Sequence, residues 1–167
     1  MDRRSEVREA ASDRRSRRAP DAPGSGRISR SGERYADRMG FIHTCYRVLE
    51  LDRSIAFYEA LGFAEVRRVP IREEAVNVFM NIPGDGDVAR LELTFNVGRE
   101  EPYEIGTGYG HIAISSPDLD AALERLAAQG IEPEKPPYRV REGGSRLCFV
   151  RDPDGYRIEL IERAESA

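Results

Sequence analysis

The chain has 167 residues, 40% of them hydrophobic and 34% charged, with a formal net charge of −4. These proportions are those of a soluble globular protein, one domain or two small halves packed together. The apolar runs are too short to span a bilayer. Cys45 and Cys148 are too few for a disulfide framework or a cysteine metal motif, so a reduced, cytoplasmic setting is expected.

The charge is unevenly spread. Residues 1–38 hold 11 Arg against 7 acidic residues, and the rest holds 15 basic against 23 acidic residues. An acidic body argues against a nucleic-acid or anionic-membrane surface. The first 38 residues lack an apolar period and are rich in Arg, Ser, Ala, Pro and Gly, so a disordered N-terminal extension is expected over 1–38. Its arginines and serines suit a transit peptide, but its acidic residues do not. Met39, directly before the first strand, is a second candidate start, and the folded domain is expected over 39–167.

Regular patterning begins at Phe41. "FIHTCYRV" reads as a strand, and "DRSIAFYEALG" as a helix with Asp52 as N-cap, Ile55, Tyr58 and Leu61 inward, and Gly62 as its stop. Three strand-like runs follow, "FAEVRRV", "AVNVFMNI" and "VARLELTFN", the last two joined through "NIPGDGD". After the loop "EEPYEIGTG" the order restarts. "GHIAISS" is a strand, and "SPDLDAALERLAAQG" a helix with Ser116 as N-cap, Pro117 in the first turn, Leu119, Leu123 and Leu126 inward, and Gly130 as stop. "IEPEKPPYRV", "SRLCFVR" and "YRIELIER" complete it, the last two joined by the turn "DPDG".

The order is βαβββ twice, over about 41–97 and 108–163, an α+β fold of two modules with curved mixed sheets. His43 precedes Gly62 by 19 residues, and His111 precedes Gly130 by 19; Glu92 follows Gly62 by 30, and Glu159 follows Gly130 by 29. A period of about 68 residues is too long for a solenoid and marks a duplicated module.

Each module thus carries one His in its first strand and one Glu in its last. Taken singly, a strand His is more often structural and a strand Glu more often solvated. Together, at equivalent places in two repeats and with no other histidine in the chain, they point to a shared divalent cation, because a lone buried carboxylate costs several kcal/mol. His43, Glu92, His111 and Glu159 are the candidate ligands. A set without thiolate leaves room for water or substrate oxygens and suits Ni, Co, Mn or Fe, with Zn less typical. By strand alternation His43 shares its face with Cys45 and Arg47, and Glu92 with Thr94 and Asn96. Both cysteines read as small buried hydrophobes.

From Phe41 to Arg163 these residues resemble the glyoxalase I family of the vicinal oxygen chelate superfamily, through "HTCYRVLELDRSIAFYEALGF", "LELTFN", "YEIGTGYGHIAI" and "FVRDPDGYRIELIE". The resemblance implies a metal held by His43, Glu92, His111 and Glu159. With His at the first position the implied metal is Ni or Co, with Zn as the alternative. It also implies a homodimer whose sites take one His/Glu pair from each subunit. The implied reaction converts the hemithioacetal of methylglyoxal and glutathione to S-D-lactoylglutathione through an enediolate, detoxifying methylglyoxal. Glutathione is then a co-substrate, Glu159 the principal base and Glu92 its mirrored counterpart. Arg47 and Asn96 match positions that hold the γ-glutamyl end of glutathione. The family's Lys beside the glycine pair is absent from "YRVREGGS"; Arg141 or Arg139 is the substitute, and another thiol such as mycothiol or bacillithiol is the alternative. Two other readings remain: another superfamily chemistry (thiol transfer, dioxygenation, epimerisation), or a metal-free binding dimer.

Overall fold

In a computed structural model, the structure describes residues 40–163. The expectations for residues 1–38 and for Met39 lie outside the described residues.

The first module runs β1 (Thr44–Val48), α1 (Leu51–Ala60), β2 (Ala64–Ile71), β3 (Ala75–Asn81) and β4 (Leu91–Asn96). The second runs β5 (Ile112–Ser116), α2 (Leu119–Ala127), β6 (Tyr138–Arg139), β7 (Arg146–Arg151) and β8 (Arg157–Glu162). The strands form two four-stranded sheets, ordered β1-β4-β3-β2 and β5-β8-β7-β6. Each sheet pairs its first and last strands in parallel and is otherwise antiparallel. The two βαβββ modules expected from the sequence are therefore present. Their sheets are open, with β1 and β2 at the edges of one and β5 and β6 at the edges of the other.

Alternation along the strands separates two faces. Tyr46 and Val48, Val78 and Met80, and Leu91 and Leu93 are buried in one core with Ile55, Phe57 and Tyr58 of α1. Leu119 and Leu126 of α2, with Cys148, Val150, Ile158 and Leu160, belong to the same core, so both modules share it. Hydrogen bonds tie them further. Tyr58 donates to Asp152 Oδ2 at 2.9 Å, Ser54 donates to Asp154 Oδ2 at 3.1 Å, and the Leu49 amide donates to Asp154 Oδ1 at 3.0 Å.

Both helices stop where expected. Gly62 and Gly130 take φ of +97° and +74°, and each helix ends in the same paired closure. The Phe63 amide returns to Tyr58 O and the Gly62 amide to Glu59 O; likewise Ile131 returns to Leu126 O and Gly130 to Ala127 O. Their starts differ from expectation. Helix α1 is capped by Glu50 without a side-chain bond, and Asp52 lies in the first turn, where its charge favours the positive end of the helix. Helix α2 is capped by Asp118, whose side chain accepts from the Ala121 amide at 2.9 Å. Ser116 instead ends β5, and its hydroxyl donates to Asp118 O. Pro117 holds Ser116 extended, which leaves the strand running up to the proline and moves the cap two residues on.

The segment read as one long strand, "IEPEKPPYRV", contributes only Tyr138–Arg139 to the sheet. Pro133, Pro136 and Pro137 lack the amide hydrogens a ladder needs. Both histidines were expected inside their strands but sit one step before them: His43 precedes Thr44 and His111 precedes Ile112, at the strand entries, with part of each side chain open to solvent.

Candidate metal centre

The cross-strand register places the two glutamates equivalently. Glu92 on β4 lies between Cys45 on β1 and Phe79 on β3. Glu159 on β8 lies between Ala113 on β5 and Phe149 on β7. In each module the histidine entering the first strand reaches across to the glutamate of its parallel neighbour. His43 Nε2 is 2.7 Å from Glu92 Oε2, and His111 Nε2 is 3.1 Å from Glu159 Oε2.

The aromatic support repeats as well. His43 meets Phe79 edge-on at 5.6 Å between centroids, and His111 meets Phe149 at 5.2 Å. A guanidinium covers each phenyl ring at 3.9 Å, Arg67 over Phe79 and Arg157 over Phe149. Glu134 holds Arg157 in place, and the guanidinium in turn keeps the Glu134 carboxyl below its ordinary range. Each imidazole is thus fixed by a ring edge and a carboxylate, and ring rotation is restricted.

These pairs fit a divalent ion. Ligands about 2.1 Å from one metal and at right angles lie about 3 Å apart, the separation seen within each pair. Imidazole nitrogen and carboxylate oxygen are the donors such ions prefer. His43 Nδ1 is buried without a partner, so this ring is oriented by Phe79 and Glu92 and not by a bond at its far nitrogen. Among the described residues no group of three or more His, Cys, Asp or Glu side chains is placed to hold a metal ion. Each sheet therefore carries one His/Glu pair, and among the described residues the two pairs form no larger cluster.

The surroundings of the two glutamates differ. Asn77 Nδ2 donates to Glu92 Oε1 at 2.6 Å, and the Thr94 hydroxyl donates to the same oxygen at 3.2 Å. Thr94 also lies 3.3 Å from Cys45 Sγ. Cys45 is exposed on this face, contrary to the expectation of a buried hydrophobe; partial desolvation raises its thiol pKa, with the Glu92 charge adding to the rise. Cys148 is buried, as expected, and its thiol is pushed up to about 11 by burial.

Asn77 was not among the residues singled out from the sequence. Its signal was present, a polar side chain in the apolar run "AVNVFM", but only the β3–β4 register brings it to Glu92. Arg47 is exposed on β1 on the Cys45 side of the strand, as alternation predicts. Asn96 ends β4 and donates to the Tyr103 hydroxyl at 2.7 Å. Arg141 lies exposed in the loop between β6 and β7, where its carbonyl accepts from the Gly144 amide. Among the described residues no helix is long and apolar enough to cross a membrane.

Residues 40–160 match the family model described as Glyoxalase/Bleomycin resistance protein/Dioxygenase superfamily. The chain is 40% identical to the lactoylglutathione lyase of Haemophilus influenzae over 126 residues, 93% of that protein. It is 43% identical to a lactoylglutathione lyase of Arabidopsis thaliana over 129 residues, but there it spans only 45% of the relative's length. The chain spans less than half the length of the plant relatives it matches. Among solved structures, glyoxalase I from Zea mays superimposes with a TM-score of 0.68 at 37% identity, over 75% of this chain and 45% of that one. Glyoxalase I of Leishmania major, described as trypanothione-dependent, superimposes with a TM-score of 0.63 at 34% identity, over 75% of this chain and 87% of that one. With this sheet order, this repeat and these relatives together, the chain belongs to the glyoxalase I family of the glyoxalase/bleomycin resistance protein/dioxygenase superfamily.

Proposed function

We propose that this protein isomerises the hemithioacetal of methylglyoxal and glutathione to S-D-lactoylglutathione, as a lactoylglutathione lyase detoxifying methylglyoxal. The observation that carries this reading is the pair of equivalent His/Glu contacts, His43 with Glu92 and His111 with Glu159, in matching register. Its relatives at 37–43% identity carry the name lactoylglutathione lyase.

His43, Glu92, His111 and Glu159 hold a divalent ion, Ni or Co, with Zn as the alternative. When bound, the ion supplies Lewis acidity that stabilises negative charge on the two adjacent substrate oxygens. The protein's own groups do the rest. The Glu159 carboxylate takes the proton from the carbon bearing sulfur and returns it to the neighbouring carbon. Arg47 grips the γ-glutamyl carboxylate, Asn96 turns its amide from Tyr103 to the same end, and Arg141 meets the glycyl carboxylate from its loop. Each sheet carries one His/Glu pair and no larger cluster forms among the described residues, so the working form is a homodimer in which one protomer's first module faces its partner's second. Two unpaired cysteines suit a reducing cytoplasm.

The decisive assay follows thioester absorbance with each of Ni, Co and Zn against hemithioacetals of glutathione, trypanothione, mycothiol and bacillithiol. Thioester formation with Ni or Co and glutathione is expected. A thiol other than glutathione as the sole substrate would correct the substrate and keep the reaction. No thioester with any metal and any thiol would overturn the reading.

A further inference from the structure

Glu92 and Glu159 occupy the same register but keep different company. Beside Glu92, Asn77 faces Thr94 across the β3–β4 ladder; beside Glu159, the corresponding pair on β7–β8 is Leu147 and Ile161. The first pair delivers two hydrogen bonds to Glu92 Oε1, leaving Oε2 for the His43 side. The second pair has no polar atom to offer. Among the described residues, Glu159's polar contact is His111 alone.

The Asn77 amide has one workable orientation. Turned over, its carbonyl oxygen would face a carboxylate oxygen, acceptor against acceptor. As it stands, Oδ1 is buried without a partner. A leucine, the residue present at position 147, would fill the same place without stranding an acceptor, so packing alone does not account for an amide here. The duplicated module supplies its own control: the same strand position is apolar where no clamp is needed.

Resting on the metal reading proposed above, we infer that Asn77 and Thr94 are positioning residues that clamp Oε1 of Glu92. The clamp makes Glu92 a fixed, one-oxygen ligand. Unclamped Glu159 is left as the carboxylate that would be free to move and carry the proton. The division of labour between two pseudo-symmetric glutamates is thus set by residues that touch neither metal nor substrate.

The test uses the intact chain and two substitutions that exchange the surroundings. Chelator competition gives the Co(II) dissociation constant, and the visible Co(II) bands report the ligand field. Asn77→Leu is expected to raise the dissociation constant about 10–100-fold and shift the bands. Leu147→Asn, which sets an amide beside Glu159, is expected to lower kcat about tenfold while KM stays within about twofold. Wild-type affinity and bands in Asn77→Leu, with Co(II) bound by the wild type, overturn the clamp alone. Unchanged kcat in Leu147→Asn overturns the division of roles, and this arm decides if Asn77→Leu does not fold. A wild-type chain that takes up no Co(II) overturns the metal reading, and the clamp with it.

Discussion

An imidazole beside an apolar strand has two ordinary explanations, a structural hydrogen bond or exposure. His43 and His111 each bring Nε2 within hydrogen-bond reach of a glutamate, and what sets them apart is that the same contact recurs at equivalent register in both modules. Under the proposed reaction, replacing Glu159 with Gln would keep an oxygen for the ion but remove the proton acceptor. Its kcat is expected to fall about 10²–10⁴-fold with the metal still bound, read from steady-state kinetics beside metal analysis. A change of only a few-fold would assign the proton to another group. At this scale the sequence was informative about identity and face but not about neighbours. Cys45 shows the limit: alternation put it on the His43 face, which is open, while its apolar character argued for burial, and the backbone period prevailed. Asn77 was missed because strand period says which side a residue faces, not which strand lies beside it.

Among the elements, the junction between α1 and the turn after β7 holds the modules in one core. Asp152 is 4% exposed and accepts from the Tyr58 hydroxyl and from the Asp154 and Tyr156 amides. Burial outweighs these bonds and raises its carboxyl from 3.8 to about 6. The folded state therefore binds this proton more tightly than the unfolded chain. Its stabilising contribution is complete below pH 3.8 and is lost as pH rises through about 6, a swing of about 3 kcal/mol. Asp152→Asn removes the titrating group while an oxygen still serves the two amides, so urea melts across this window should flatten. An unchanged slope would place the pH dependence elsewhere. Glu65 and Glu134, held below their ordinary range by Arg68 and Arg157, pull the other way at lower pH, but weakly, since they lie near the surface. Glycine stops were legible because φ near +90° selects glycine locally. Helix starts were less so, because several adjacent Ser, Asp and Glu side chains can cap, and the Pro117 geometry chose among them.

For the whole molecule, the proposed sharing of sites between subunits predicts complementation. Mixing His43→Ala with His111→Ala protein and allowing subunits to exchange yields heterodimers in which one site has both defects and the other has none. With random pairing about a quarter of wild-type activity should return, although each variant alone is inactive. No recovery under verified exchange would place each site within one chain. The duplicated βαβββ order, the four candidate ligands and the faces of their strands followed from the sequence itself, because strand period, glycine stops and repeat spacing are local properties of the chain. The tertiary structure decided how closely each His meets the Glu of its own module, and that Glu92 accepts from Asn77 and Thr94 while Glu159 has only His111 as a polar contact among the described residues. Those facts depend on register between strands distant in sequence, and register is settled by how the sheets pack against the shared core.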